Sequence, residues 1–238
     1  VKRRFNRPQV GVLGYGDLVT SLVLVAPLFF IYEIGVMFSD SVNGADFVTR
    51  LVFDAVGRDV TKYLIVHLVL ALVFIGVVLF MRRGHAIYLR RFPLVVAESA
   101  VWALTMGSFI VLVMDRVLGF ELLALGDVGN KIFVSIGAGV HEELVFRLGL
   151  MAGGAGLLRY LGLKTGVAVM LSALVSSVLF SAAHHVGPLG DPWEVQVFTY
   201  RFLAGLFFGA LFYFRSFGHA VYTHFLYDVV VLVFRGGG

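Results

Sequence analysis

The 238-residue sequence contains no cysteine, which excludes disulfides, thiolate metal sites and cysteine nucleophiles outright. Charge is scarce as well: 14% of the residues are Asp, Glu, Lys or Arg, against 59% hydrophobic, and the mean hydropathy is +0.93. A soluble domain carries about 25% charged residues, so this chain is expected in lipid, as one integral-membrane domain over residues 1–238. There is no long linker, no low-complexity tract and no internal repeat. Nor does a pair of matching broken helices mark two inverted halves, which counts against a secondary transporter. The excess of 19 Lys and Arg over 15 Asp and Glu could suggest nucleic acid, but basic residues gathered in the loops of one membrane face are explained by topology. No nucleic-acid partner is expected.

What the chain does have is long apolar runs. A helical crossing needs ~20 apolar residues, and seven such runs lie at roughly 17–38, 62–81, 92–118, 132–153, 165–185, 194–214 and 217–234. They lack the period-2 alternation of barrel strands, so the fold class is all-α, a polytopic transmembrane helical bundle. The basic opening VKRRFNRP precedes a run too long for a signal peptide, which reads as an uncleaved first span. With the N-terminus cytoplasmic, Lys2, Arg3, Arg4, Arg7, Arg82, Arg83, Arg90, Arg91, Arg159, Lys164 and Arg215 all fall on one side with almost no acid beside them. The expected location is the plasma (inner) membrane, multi-pass, with the N-terminus inside.

Three of these runs carry ionisable residues, each costing ~2.5 to 3.5 kcal/mol at bilayer depth on insertion scales, so by default they face the bundle interior and mark a function. They are HEELVFR (141–147) on the fourth span, FSAAHH (180–185) on the fifth and HFLYD (224–228) on the seventh. At ~100° per residue, Glu143 and Arg147 form an i, i+4 pair about 40° apart, whereas Glu142 lies about 140° from Arg147. Arg147 is therefore expected to brace Glu143, leaving Glu142 as a lone carboxylate aimed elsewhere, suited to a general base or a proton shuttle. His224 and Asp228 are a second i, i+4 pair. An ion pair that locks packing accounts for Glu143 and Arg147 as readily as chemistry does, and a hydrogen bond within one helix accounts for His224 and Asp228. A carboxylate and two imidazoles on three separate helices fit a shared polar pocket better than packing alone.

In order and spacing, Glu142-Glu143-x-x-x-Arg147, Phe180-x-x-x-His184 and His224-x-x-x-Asp228 resemble the motifs of the CPBP family of intramembrane proteases. That group includes the type II CAAX prenyl endopeptidases and the Abi-type bacterial proteins. The resemblance covers roughly residues 130–234; the first three spans add only hydropathy. It implies that Glu142, helped by His184, activates a water for attack on a peptide carbonyl, that His224 and Asp228 hold the oxyanion, and that Glu143 and Arg147 orient the site. Family members often carry Asn where this chain has Asp228. An ionised Asp cannot donate to an oxyanion, so Asp228 is expected to fix the tautomer of His224, which becomes the donor.

The implied substrate is a peptide or protein, lipid-modified or membrane-anchored, met in the bilayer. No cofactor is expected. Glu142, His184 and His224 could form a His₂Glu zinc set, but no H-E-x-x-H helix supplies paired ligands, and a metal-free, glutamate-activated water is the reading. The rivals are a cation- or proton-coupled transporter, for which Glu33, Glu98 and Asp115 would line a path, and a non-catalytic immunity or scaffold protein on the same fold. Convergence of Glu142, His184 and His224 on one water would favour the protease. With Lys164 at the cytoplasmic edge, His184 lies ~30 Å further along its helix, which places it near the outer face and favours a site opening outward, next to Gly187.

Overall fold

The computed structural model describes residues 18–36, 52–57, 59–82, 87–119, 138–186 and 190–231. Among them there is no strand, and the helices follow the apolar runs: α1 is Leu18–Val36, α2 Val60–Met81, α3 Phe92–Val113, α5 Thr165–Ala183, α6 Val195–Phe214 and α7 Phe217–Val229. α4 is built in two styles. It is π-wound over Ala138–Glu142 and Leu144–Ala152, then α-helical over Gly153–Tyr160. Among the described residues, four helices are long and apolar enough to cross a membrane: α2, the continuous Leu89–Leu118 helix that contains α3, α5 and α6. Parts of the expected spans (37–38, 132–137 and 232–234) and Gly187 lie outside the described residues.

Local signals explain several ends. Asp59 caps α2, its carboxylate accepting from the backbone N–H of Thr61 (2.9 Å) and Lys62 (3.1 Å). Pro93 falls in the first turn of α3, where its missing N–H costs nothing. Ser216 caps α7 by accepting from the His219 N–H. The expected end of the fourth span at Gly153 is corrected: Gly153 keeps right-handed helical dihedrals and the helix continues to Tyr160. The residue that stops it is Gly162, at φ +96°, a left-handed conformation that only glycine adopts without strain.

Two groups of buried side chains form the core. Tyr32, Val140, Phe212, Phe217, Ala220 and Val221 join α1, α4, α6 and α7. Met106, Ile110, Phe146, Phe180, Phe208 and Tyr227 join α3 to α4, α5, α6 and α7. Cross-helix hydrogen bonds from small hydroxyls set the approach: Ser176 Oγ donates to the Phe146 carbonyl (α5 to α4), Ser181 Oγ to Phe198 (2.7 Å, α5 to α6) and Tyr222 Oη to Leu24 (2.8 Å, α7 to α1). α2 is peripheral. Of its residues only Tyr63 and Val78 are buried, and the rest of its apolar surface is left for lipid.

Candidate active site

Glu142 and Arg147 sit in the two π-wound pieces of α4, Glu143 is the single residue between those pieces, and all three are buried. Because a π-helix bonds to i+5 rather than i+4, it is wound wider, and residues five apart come closer to one face. The α-helical angles used on the sequence therefore need correcting. The four-residue pair survives, with Arg147 Nε 3.1 Å from Glu143 Oε2, but Glu142 stands nearer the Arg147 face than 140° implies. Short π turns recur at functional sites, and this one is held against α7 by a glycine. A Cβ on Gly139 would lie 2.9 Å from the Phe225 backbone nitrogen and 3.0 Å from the Val221 carbonyl oxygen, so no other residue fits without moving a helix.

Glu142 is not the lone carboxylate expected. Its Oε2 lies 3.5 Å from His184 Nε2 and 3.8 Å from His224 Nε2, so imidazoles from α5 and α7 flank it on a helix that supplies neither. His184, just past the end of α5, reaches Glu142 across the bundle. His184 Nδ1 donates to the Phe180 carbonyl at 2.8 Å. In the neutral ring that bond leaves Nε2 without its proton, turned toward Glu142.

His224 is held differently from expectation. Its Nδ1 lies 3.0 Å from Glu143 Oε1, and its Nε2 faces Asp228 Oδ2 at 3.6 Å as well as Glu142. The group that fixes the ring is therefore Glu143, which holds Nδ1 within hydrogen-bond distance, and Asp228 stands beyond that distance at the other nitrogen. The sequence assigned this task to Asp228 because the four-residue spacing was visible, whereas Glu143 arrives from another helix. Phe208, which no sequence feature singled out, stacks on the His224 ring (4.3 Å between centroids, 18° between planes), and Phe180 packs edge-on to both His184 and His224.

Arg147 has no exposure to solvent. Its close contact with Glu143 is an ion pair whose N–H is not aimed for a hydrogen bond, and among the described residues its Nη atoms have no hydrogen-bond partner. Instead the guanidinium lies 4.6 Å from the centre of the Phe180 ring, whose face takes up part of the charge. Access is graded: the Glu142 side chain is 2% exposed, whereas those of His184 and Asp228 are 18% and 22% exposed. The site is thus reached from the His184 and Asp228 side.

The other acids considered for a transport path are engaged in separate groups. Glu33 bonds Tyr63, His67 and His141. Glu98 pairs with Arg215 and His219 and accepts from Trp102 Nε1, while Asp115 sits beside Arg116 on the exposed π-wound end of the helix that contains α3.

With this arrangement in view, the comparison with known proteins is specific. Residues 124–230, which contain all three motifs, match the family model of the type II CAAX prenyl endopeptidase Rce1-like domain. This segment, somewhat under half of the 238-residue chain, is similar to that family. The matched segment takes in α4 to α7 and every motif residue, while α1 to α3 precede it. Neither a curated protein nor a solved structure matches the chain.

Proposed function

We propose that the protein is an intramembrane endopeptidase in which Glu142 activates the attacking water. The observation that carries this reading is the convergence of Glu142 with His184 and His224, at 3.5 and 3.8 Å, from three different helices. Glu142 Oε2 and His184 Nε2 are near enough for one water molecule to touch both, and either can accept its proton. As the water oxygen bonds to the scissile carbonyl carbon, the π electrons move to the carbonyl oxygen, and the proton taken by Glu142 is passed to the leaving amine when the C–N bond breaks. His224, whose Nδ1–H is held by Glu143, donates to the oxyanion through Nε2 in its doubly protonated, imidazolium form. Glu143 and Arg147 hold this geometry, and Asp228 supports His224 near the mouth. The substrate is a C-terminal or membrane-anchored peptide segment, lipid-modified or not, and the enzyme sits in the inner membrane with its N-terminus cytoplasmic.

The reading requires no resident metal. The transporter alternative is disfavoured by the acids themselves: Glu33, Glu98 and Glu142 each belong to a separate bonded group rather than a chain across the bundle. The test is proteomics of C-termini in membranes from cells expressing wild type or Glu142→Gln, with a chelator-treated arm. New peptide ends present with wild type, absent with Glu142→Gln and unaffected by the chelator are expected. Ends that persist with Glu142→Gln refute the base, and ends lost on chelation and restored by zinc refute the metal-free step.

A further inference from the structure

Glu33 lies on α1, outside all three motifs, and is 5% exposed. Its Oε2 accepts from the Tyr63 hydroxyl and from His67 Nε2 (2.9 Å), both on α2, and its Oε1 accepts from His141 Nε2 at 3.0 Å, on α4. The His141 ring is packed between Phe29 and Tyr32, with centroids at 5.5 and 5.0 Å. One buried carboxylate thus ties three helices together. One of its bonds ends a single peptide unit from Glu142.

On the reading of Glu142 as the base, we propose that Glu33 is a positioning residue for the hydrolysis: by holding His141 it fixes the rotation of the π-wound start of α4, and with it the place of the Glu142 carboxylate.

Neighbouring side chains on a helix, α- or π-wound, point in widely different directions. His141 therefore addresses α1 while Glu142 addresses α5 and α7, and turning one turns the other. The close contact at Gly139 sets how near α4 lies to α7 but resists rotation about the helix axis weakly, since a glycine has no side chain to act as a lever. The His141–Glu33 bond acts at the end of a long side chain and resists it strongly. A carboxylate rides ~6 Å from the helix axis, so a rotation of ~10° displaces it by ~1 Å. Added to the 3.5 Å that separates Glu142 from His184, such a shift would break the shared contact with one water, and a misplacement of ~1 Å can cost ~10²-fold in rate. Tyr63 and His67 hold α2 to Glu33 through the other oxygen, so fastening α2 and positioning α4 are separable functions of one residue.

The experiment compares His141→Leu, His141→Gln and Tyr63→Phe in the full chain in detergent. The probe is a quenched fluorescent C-terminal peptide that wild type cleaves, drawn from a prenylated and unprenylated panel. The ring NMR signals of the protein's seven histidines are recorded in parallel. His141→Leu is expected to lower kcat by ~10²-fold with KM within about threefold. His141→Gln, which keeps an N–H at a similar reach, should recover to within about tenfold of wild type, and Tyr63→Phe should stay within about threefold. The His184 and His224 ring signals should shift in His141→Leu and hold in Tyr63→Phe. Should His141→Leu fail to fold, Glu33→Asp, shorter by one methylene, is expected to give the same loss of kcat at constant KM. The proposal is overturned by a wild-type kcat in His141→Leu or Glu33→Asp, by an equal loss in Tyr63→Phe, or by unmoved ring signals. Turnover that survives Glu142→Gln would refute the base instead, and the ring signals would still decide whether Glu33 sets the geometry.

Discussion

Replacing Arg147 by Ala tests how the buried charges are carried. Wild type buries Arg147 and Glu143 with no measurable exposure and 3.1 Å between them. Removing one member of such a pair strands the other's charge and costs ~3 to 5 kcal/mol, more than the pair contributes when intact. Two features of the site set where in that range the loss falls. His224 Nδ1 remains 3.0 Å from Glu143 and partly compensates the stranded carboxylate, which favours the lower end. The guanidinium also leaves an empty volume against Phe180, which adds a packing loss. At ~2 to 4 °C per kcal/mol for a chain of this size, the melting temperature in detergent should fall by roughly 6 to 20 °C. Glu143→Gln added to Arg147→Ala removes the stranded charge, so the double variant should melt above the single one although it lacks one more native group. Melting of Arg147→Ala within ~1 °C of wild type, or a double variant less stable than the single by the full cost of both changes, would refute the bracing role and move Arg147 to substrate or catalysis.

Gly139→Ala places a Cβ 2.9 Å from the Phe225 backbone nitrogen; the forced separation of α4 and α7 should cost ~1 to 3 kcal/mol and lower turnover, checked by thermal melts and peptide cleavage together. Asp228→Asn should retain activity within about tenfold, since Glu143 rather than Asp228 holds the His224 ring, while Asp228→Leu should lose more; equal loss in both would show that the charge itself is required. Val186, just past His184 and 72% exposed, offers a site for a single cysteine in a chain that has none. Val186→Cys should react with a membrane-impermeant thiol reagent in intact cells if the site opens outward, and labelling only after permeabilisation would assign it to the cytoplasmic side.

The helices were legible because lipid imposes one strong rule, and the described segments follow the apolar runs closely. The pairing of Glu143 with Arg147 was legible for a different reason: both residues lie on one helix, and a four-residue spacing keeps them near each other in α and π winding alike. What the sequence hid depends on contacts between helices. The partners of Glu142 come from α5 and α7, and the group holding His224 Nδ1 comes from α4, so a lone base and a tautomer-fixing Asp228 were the natural errors of reading each helix alone. π winding has no residue signature within AGVHEELVFRLGL, although it decides the angle between Glu142 and Arg147. Glu33 and His141, 108 positions apart, gave no hint of meeting; an acid in an apolar run suggested a conduction path, and packing made it an anchor. The first three helices, plain hydropathy in the sequence, touch the motif-bearing helices through Glu33, which bonds His141, and through Gly107 of α3, against which Tyr227 packs.

The central claim, that Glu142 activates the hydrolytic water, is tested most directly by the initial rate at which purified Glu142→Gln cleaves a peptide that wild type cleaves, normalised to folded protein. The substitution keeps size and hydrogen-bonding capacity while removing the basic oxygen, so melting should stay close to wild type and the rate should drop by at least ~10²-fold. A folded Glu142→Gln protein that cleaves within about threefold of the wild-type rate would contradict the account.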